Sequence, residues 1–230
     1  MSEKKPKVPR YTTPAGVAAF VWLNTPDTKF KADGEYTVSL IMDAEAAQPL
    51  IETLEAALKE AHDVAVASYM TKLEEAKGPQ KAKLKAKGEV NTGDFYTPYY
   101  DDDGNETGEV IFKFKMNASF VKKENGEDKV IRMSPQMFDA KGVKLNSPPN
   151  VAPGSILKIN FSPNPYYVDA THTAGIQLRL NAVQIIELKT FGGGGDAGSY
   201  GFQAEEGYES NPENEAGFRD EYATKGADDF

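Results

Sequence analysis

The chain predicts a mainly β fold: a Greek-key barrel of the OB type with five or six strands, one long inserted helix and a disordered acidic C-terminal tail. Three observations predict it. Several segments alternate apolar and polar residues at the period of a strand with one buried face. One stretch changes to helical spacing, and the charge divides between a nearly neutral body and an acid-rich end.

A basic arm (Lys4, Lys5, Lys7, Arg10, with Tyr11) leads to Val17–Leu23, an apolar run between Gly16 and Asn24-Thr25-Pro26 that reads as a strand. Phe20 and Trp22 share one face of it and read as core. Tyr36, Val38, Leu40 and Met42 then alternate with Glu35, Thr37, Ser39 and Ile41 as a second strand. At Ala44 the period changes. Leu50, Leu54, Leu58, Ala61 and Ala65 recur at helical spacing among Ala, Glu and Lys, which predicts a long amphipathic helix over roughly Ala46–Ala76, ended by Gly78-Pro79. Lys77–Lys87 is basic and reads as irregular or extended. Phe95–Tyr100 concentrates aromatics, and Asp101–Gly108 (DDDGNETG) is a turn by composition.

Ile111–Phe120 alternates strictly. It sets Phe112, Phe114, Met116, Ala118 and Phe120 inward and Lys113, Lys115, Asn117 and Ser119 outward. Lys122–Lys129 reads as a hairpin turn leading to Val130–Met133, and Pro148–Gly154 as a loop. Ile156–Phe161 is a strand with Lys158 and Asn160 outward. Ile176–Leu188 closes the body with Ile176, Leu178, Leu180, Ala182, Ile186 and Leu188 inward, Gln184 interrupting that set. An open β-sandwich with a helix on one side fits the same elements.

Charge sets the domain boundary. Of the formal net charge of −9, Gly192–Phe230 carries −8, leaving 24 basic and 25 acidic residues before it. That segment is Gly, Glu, Asp, Asn and Ser with scattered aromatics, too polar to bury a core. Residues 1–191 are expected to form the binding domain and 192–230 a disordered protein-interaction tail. An acidic protein ordinarily repels a polyanion, but here the excess acid sits on a separable appendage. With no cysteine, a disulfide framework and thiolate metal sites are excluded. With no signal-like or membrane-length apolar run, the expected location is the cytoplasm, with no membrane partner.

Catalytic constellations do not assemble. His62 and His172 lack partners at metal-ligand spacing, no G-x-S-x-G elbow occurs, and Gly192–Gly195 lacks the Lys-Ser/Thr that completes a phosphate loop. DDDGNETG places its glycine wrongly for a calcium loop. The sequence implies no enzyme, metal or cofactor.

The pattern suits an extended nucleic-acid strand, whose phosphates need cations and whose bases need exposed rings. Lys113, Lys115 and Asn117 share an outward strand face, and Lys158 and Arg179 hold equivalent positions on later strands. Tyr96, Tyr99 and Tyr100, and Tyr166-Tyr167 after Pro165, lie outside regular apolar periodicity and are available to stack, whereas Phe112, Phe114, Phe120 and Phe161 read as core. Arg10 and Tyr11 add contacts from the arm. The tail, a tethered polyanion, competes with such a ligand, and Asp228-Asp229-Phe230 offers a ring and negative charge to a basic pocket on a partner. The alternatives are an RNA-binding or strand-annealing module on the same barrel, or an assembly factor whose β-domain binds protein partners and whose acidic tail only solubilises.

FKFKMNASF (Phe112–Phe120), LRLNAVQIIELKTFGGGG (Leu178–Gly195), and the closing DDF resemble the single-stranded DNA-binding proteins of T-seven-type bacteriophages; PRYTTP and GEYTVSL (Gly34–Leu40) agree in order. The resemblance implies an OB-fold with a helix between early strands, and a basic, aromatic cleft serving DNA replication, recombination and repair. It also implies a tail contacting phage DNA polymerase and helicase-primase, and dimerisation. It places the cleft lysine on the Lys113/Lys115 strand, the stacking tyrosine near Tyr166 and the terminal aromatic at Phe230. The family member compared has Trp where this chain has Val168, which shifts stacking toward Tyr167. Arg219 and Lys225 make this tail less densely acidic and its autoinhibition weaker.

Overall fold

A computed structural model of the chain describes residues 8–101, 103–124 and 126–190. In chain order the elements are β1 (Tyr11–Thr12), β2 (Gly16–Asp27), β3 (Glu35–Asp43), α1 (Ala44–Glu75), α2 (Gly78–Lys85), β4 (Asn91–Thr92) and β5 (Tyr96–Tyr100). They continue with β6 (Glu106–Asn117), β7 (Ser119–Glu124), β8 (Glu127–Arg132), β9 (Gln136–Phe138), β10 (Ile156–Val168) and β11 (Thr173–Glu187). Five of the strands close a ring. β2 pairs with β3, β3 with β6, β6 with β11, β11 with β10, and β10 returns to β2. Every seam is antiparallel except β6–β11, which is parallel. This is the OB-type barrel expected, with α1 between its second and third strands.

The alternation built the core as anticipated. Phe112, Phe114 and Phe161 are wholly buried, their ring centroids 6.5 Å and 5.1 Å apart in turn, among Val38, Leu40, Leu157, Ile159 and Leu180. α1 begins where Asp43 accepts a hydrogen bond from the Ala46 amide at 2.9 Å, satisfying one free donor of the first turn. Ala47, Leu50, Ile51, Leu54 and Ala61 are its buried residues on the barrel side. Gly78-Pro79 does end α1, but the basic stretch there is the helix α2 rather than irregular chain. Pro79 sits at its first turn, where a missing N–H costs nothing, and Ala and Lys favour the helical turns beyond it.

Four further expectations are corrected. Phe20 and Trp22 are not core: they are 70% and 47% exposed. A bulge between Ala19 and Trp22 turns this part of β2 outward, with Phe20 at φ 49°. Phe120 is also out, 45% exposed, because the chain leaves the barrel at Ala118. That residue donates to Gly34 and accepts from Met133, so β7 and β8 rise as a separate two-stranded ribbon.

β10 does not stop at Phe161. It runs through Pro163 and Pro165, which are tolerated because no strand pairs with its other edge beyond Phe161 among the described residues. On β11, Asn181 is an extra residue opposite Asn160 and Phe161, and the inward phase changes there. Val183 and Ile185 are buried, not Ala182, Ile186 and Leu188. The interruption at Gln184 was the trace of that bulge. Its side-chain amide donates to the carbonyls of Asp139 and Ala140.

Candidate nucleic-acid interface

The register carries one row of side chains across all five barrel strands. Trp22 on β2 lies opposite Thr37 on β3, Thr37 opposite Lys115 on β6, Lys115 opposite Arg179 on β11, and Arg179 opposite Ser162 on β10. Paired residues project from the same face, so the row holds two cations at its centre and the chain's single tryptophan at one end.

Two polar clefts meet on this row, sharing Asn164 and Arg179. One, about 400 Å³, is lined also by Lys115, Asn117, Phe120, Met133 and Gln177. The other, about 720 Å³, reaches Arg10, Ser162 and Asn181. Together they make a groove along β10 and β11, overhung at one end by Phe120 on the β7–β8 ribbon.

Hydrogen bonds fix the walls. Asn181 donates to Ser162 Oγ at 3.0 Å and to Asn160 Oδ1 at 3.3 Å, and Asn160 donates to Thr12. Lys31 Nζ donates to Asn117 Oδ1 at 2.6 Å. Lys115 lies 3.6 Å from the Glu35 carboxylate, a half-exposed pair that holds the ammonium at the groove without neutralising Arg179. Among the described residues no carboxylate pairs with Arg179. The arrangement presents fixed cations, amide groups and rings to an extended polyanion. Among those residues, no group of three or more His, Asp or Glu side chains is placed to hold a metal ion.

Comparison with known proteins identifies the family of the chain. The family model described as single-stranded DNA-binding protein, bacteriophage T7, matches residues 15–188. The chain belongs to that family. It is 32% identical over 195 residues to the single-stranded DNA-binding protein of Enterobacteria phage T3, covering 81% of this chain and 79% of the relative. It is 35% identical over 149 residues to that of Escherichia phage T7, covering 65% of this chain and 59% of the relative. The crystal structure of gp2.5, a single-stranded DNA-binding protein encoded by bacteriophage T7, superposes with a TM-score of 0.62 at 25% identity. That match covers 89% of this chain and all of the other.

Within the family fold the sequence-derived residues separate into groups. Lys115, Asn117 and Arg179 line the groove, and Arg10 stands at its far end. Tyr166 continues the face of β10 that carries Ser162 and Asn164, its ring laid over Gly175 and reaching Gly93. Lys113 shares the outward face of Lys115 but opens onto a different cavity, with Phe20 and Tyr96. Lys158 is half-buried opposite Gln184, at the other end of β10.

Of the remaining tyrosines, Tyr11, Tyr96 and Tyr167 are committed to packing. Tyr11 leans on Phe161 with ring centroids 6.0 Å apart, and Tyr96 stacks on Phe112 at 5.5 Å. Tyr99 is half-buried on β5, leaving Tyr100 more open. Tyr167 faces inward, past the barrel end toward α1, where its hydroxyl donates to His172 Nδ1. His172 Nε2 donates to the Gly88 carbonyl at 3.2 Å, so this buried histidine is fully satisfied. Burial, then the nearby Asp169 carboxylate, raises the Tyr167 hydroxyl above its ordinary value. Asp169 is itself held low by its 2.7 Å bond from Lys87.

Asp228, Asp229 and Phe230 lie outside the described residues. Sequence reasoning missed Trp22, Phe120, Ser162, Asn164, Gln177 and Asn181. Trp22 sits in a continuous apolar run and Phe120 continues an apolar–polar alternation, which hides their exposure; the bulge at Asn181 and the prolines around Asn164 obscure the rest.

Proposed function

We propose that this chain binds single-stranded DNA, independent of sequence, along the groove of Lys115, Asn117, Asn164, Tyr166 and Arg179, and serves phage DNA replication and recombination. The observation that carries the reading is the cross-strand row with Lys115 beside Arg179. Two fixed cations flanked by amides and rings suit phosphates on one side and bases on the other. Family membership supports it. The protective coating of transient strands is a consequence of such binding and requires no chemistry of its own.

The domain division at 191/192 belongs to the same proposal. In it the acidic segment competes with DNA for the cationic groove and presents Asp228, Asp229 and Phe230 to partners, namely the phage DNA polymerase and helicase-primase, or to a second copy. The proposed place of action is the host cytoplasm. Among the described residues no helix is long and apolar enough to cross a membrane.

Titration of the full chain with labelled oligothymidylate over a range of salt tests the groove. Arg179→Ala should weaken binding and flatten the log–log salt dependence by about 0.7, the share of one phosphate on a single strand. An unchanged slope and affinity would remove Arg179 from the interface and with it the groove as drawn.

A further inference from the structure

We infer a second nucleotide subsite, beside the groove rather than in it, built on the bulge of β2. The inference rests on the proposed groove and extends its ligand's path across the sheet. Phe20 is the observation that points to it. It takes φ 49° in a strand, a conformation costly for a bulky side chain, and the bulge leaves its ring 70% exposed. An apolar ring is expelled from a barrel face at a backbone cost where the surface beside it has a use.

That surface is a cavity of about 460 Å³ in which Phe20 meets Ser39, Asp94, Tyr96, Ile111 and Lys113. Ser39 and Lys113 are opposite one another and lie two residues along their strands from Thr37 and Lys115. The subsite therefore adjoins the cationic row directly, one pleat away on the same face. Its chemistry is that of a nucleotide pocket. Phe20 supplies a stacking face, Lys113 a phosphate partner, and the exposed Asp94 carboxylate an acceptor for the polar edge of a base, with Ser39 buried at the floor. Asp94 would repel a phosphate placed on it, which puts the phosphate at Lys113 and the base at the other end. Trp22, at the β2 end of the row, lies two residues along that strand from Phe20.

A strand long enough to fill the groove and cross the sheet reaches this pocket, and a short one does not. Oligothymidylates from about four to about sixteen nucleotides, the span of one OB-fold, are the probes. Wild type, Phe20→Ala, Phe20→Gly and Arg179→Ala are compared by anisotropy at fixed salt. Both Phe20 variants should bind the longest oligomers about tenfold more weakly and the shortest as wild type does. Arg179→Ala, which reports on the groove independently, should lose affinity at every length.

Glycine adopts the native φ without strain, so a loss seen in Phe20→Ala but not in Phe20→Gly would trace to backbone distortion and overturn the subsite. Wild-type affinity of both variants at all lengths would also overturn it. So would an equal loss at all lengths, which would place Phe20 in the groove itself.

Discussion

Tyr166 shows how a single large side chain is held in place by its neighbours. Its ring covers Gly175, and a β-carbon at that glycine would fall 2.5 Å from the ring's outer carbon. Gly93 closes from another side, where an added β-carbon would stand 2.6 Å from the hydroxyl. Two residues without side chains thus make the bed for one large ring, an exchange of local strand propensity for placement. Gly175→Ala should destabilise the fold by about 1–3 kcal/mol as an overpacking change. In a Tyr166→Ala background the same substitution should cost far less, and urea denaturation of the four proteins measures the difference. Additive effects would mean that the ring moves aside freely. Lys115 is held differently, by a carboxylate that a phosphate can displace at little cost, since the Glu35 pair is half-exposed.

At the scale of elements, legibility depended on how many faces of a segment were buried. β3 and β6 read correctly through Met116 because one face alternated with Lys, Ser and Thr. α1 read correctly because its apolar spacing persists along the helix without a competing period. β2 could not be read the same way: Ala19, Phe20, Val21, Trp22 and Leu23 are apolar at every position, so parity carries no information about which ring faces out. Bulges compounded this. A single extra residue at Asn181 reversed the inward set of β11, and the sequence registered it only as one misplaced glutamine.

The site obeyed the same logic. Cations at alternating strand positions were visible, so the sequence named Lys115 and Arg179, which the fold sets opposite one another. Residues whose role comes from a neighbouring strand's position, such as Ser162 and Asn164, carry no local mark. Phe120 was hidden because a backbone exit at Ala118, not a change in pattern, moves it out of the core.

For the molecule as a whole, the division of charge decides whether a polyanion is attracted at all. The body is close to neutral while Gly192–Phe230 holds nearly all the excess acid. Tethered at high effective concentration, that acid should lower the apparent affinity for DNA at low salt and flatten its dependence on salt, because salt screens the competitor as well as the DNA. Deleting Gly192–Phe230 is therefore expected to tighten oligothymidylate binding in gel shifts and to abolish co-sedimentation with the polymerase and helicase-primase proposed as its partners. A truncated chain that binds no better than the full one would dispose of the competition model.

The parallel seam has a mechanical side. β6 and β11 meet along two adjacent pairs, Leu178 with Phe114 and Arg179 with Lys115, and the second pair carries the groove's cations. The ring of strands is thus closed by a short clasp, and a phosphate chain lying on Lys115 and Arg179 straddles it from outside. Occupancy should fasten the clasp: amides of Phe114, Lys115, Leu178 and Arg179 should exchange hydrogen more slowly when oligothymidylate is saturating. Unaltered exchange at these four positions, alongside a raised melting temperature, would locate the stabilisation elsewhere. A protein that coats a strand would in this way be stiffest where it is loaded, and loosest when it has let go.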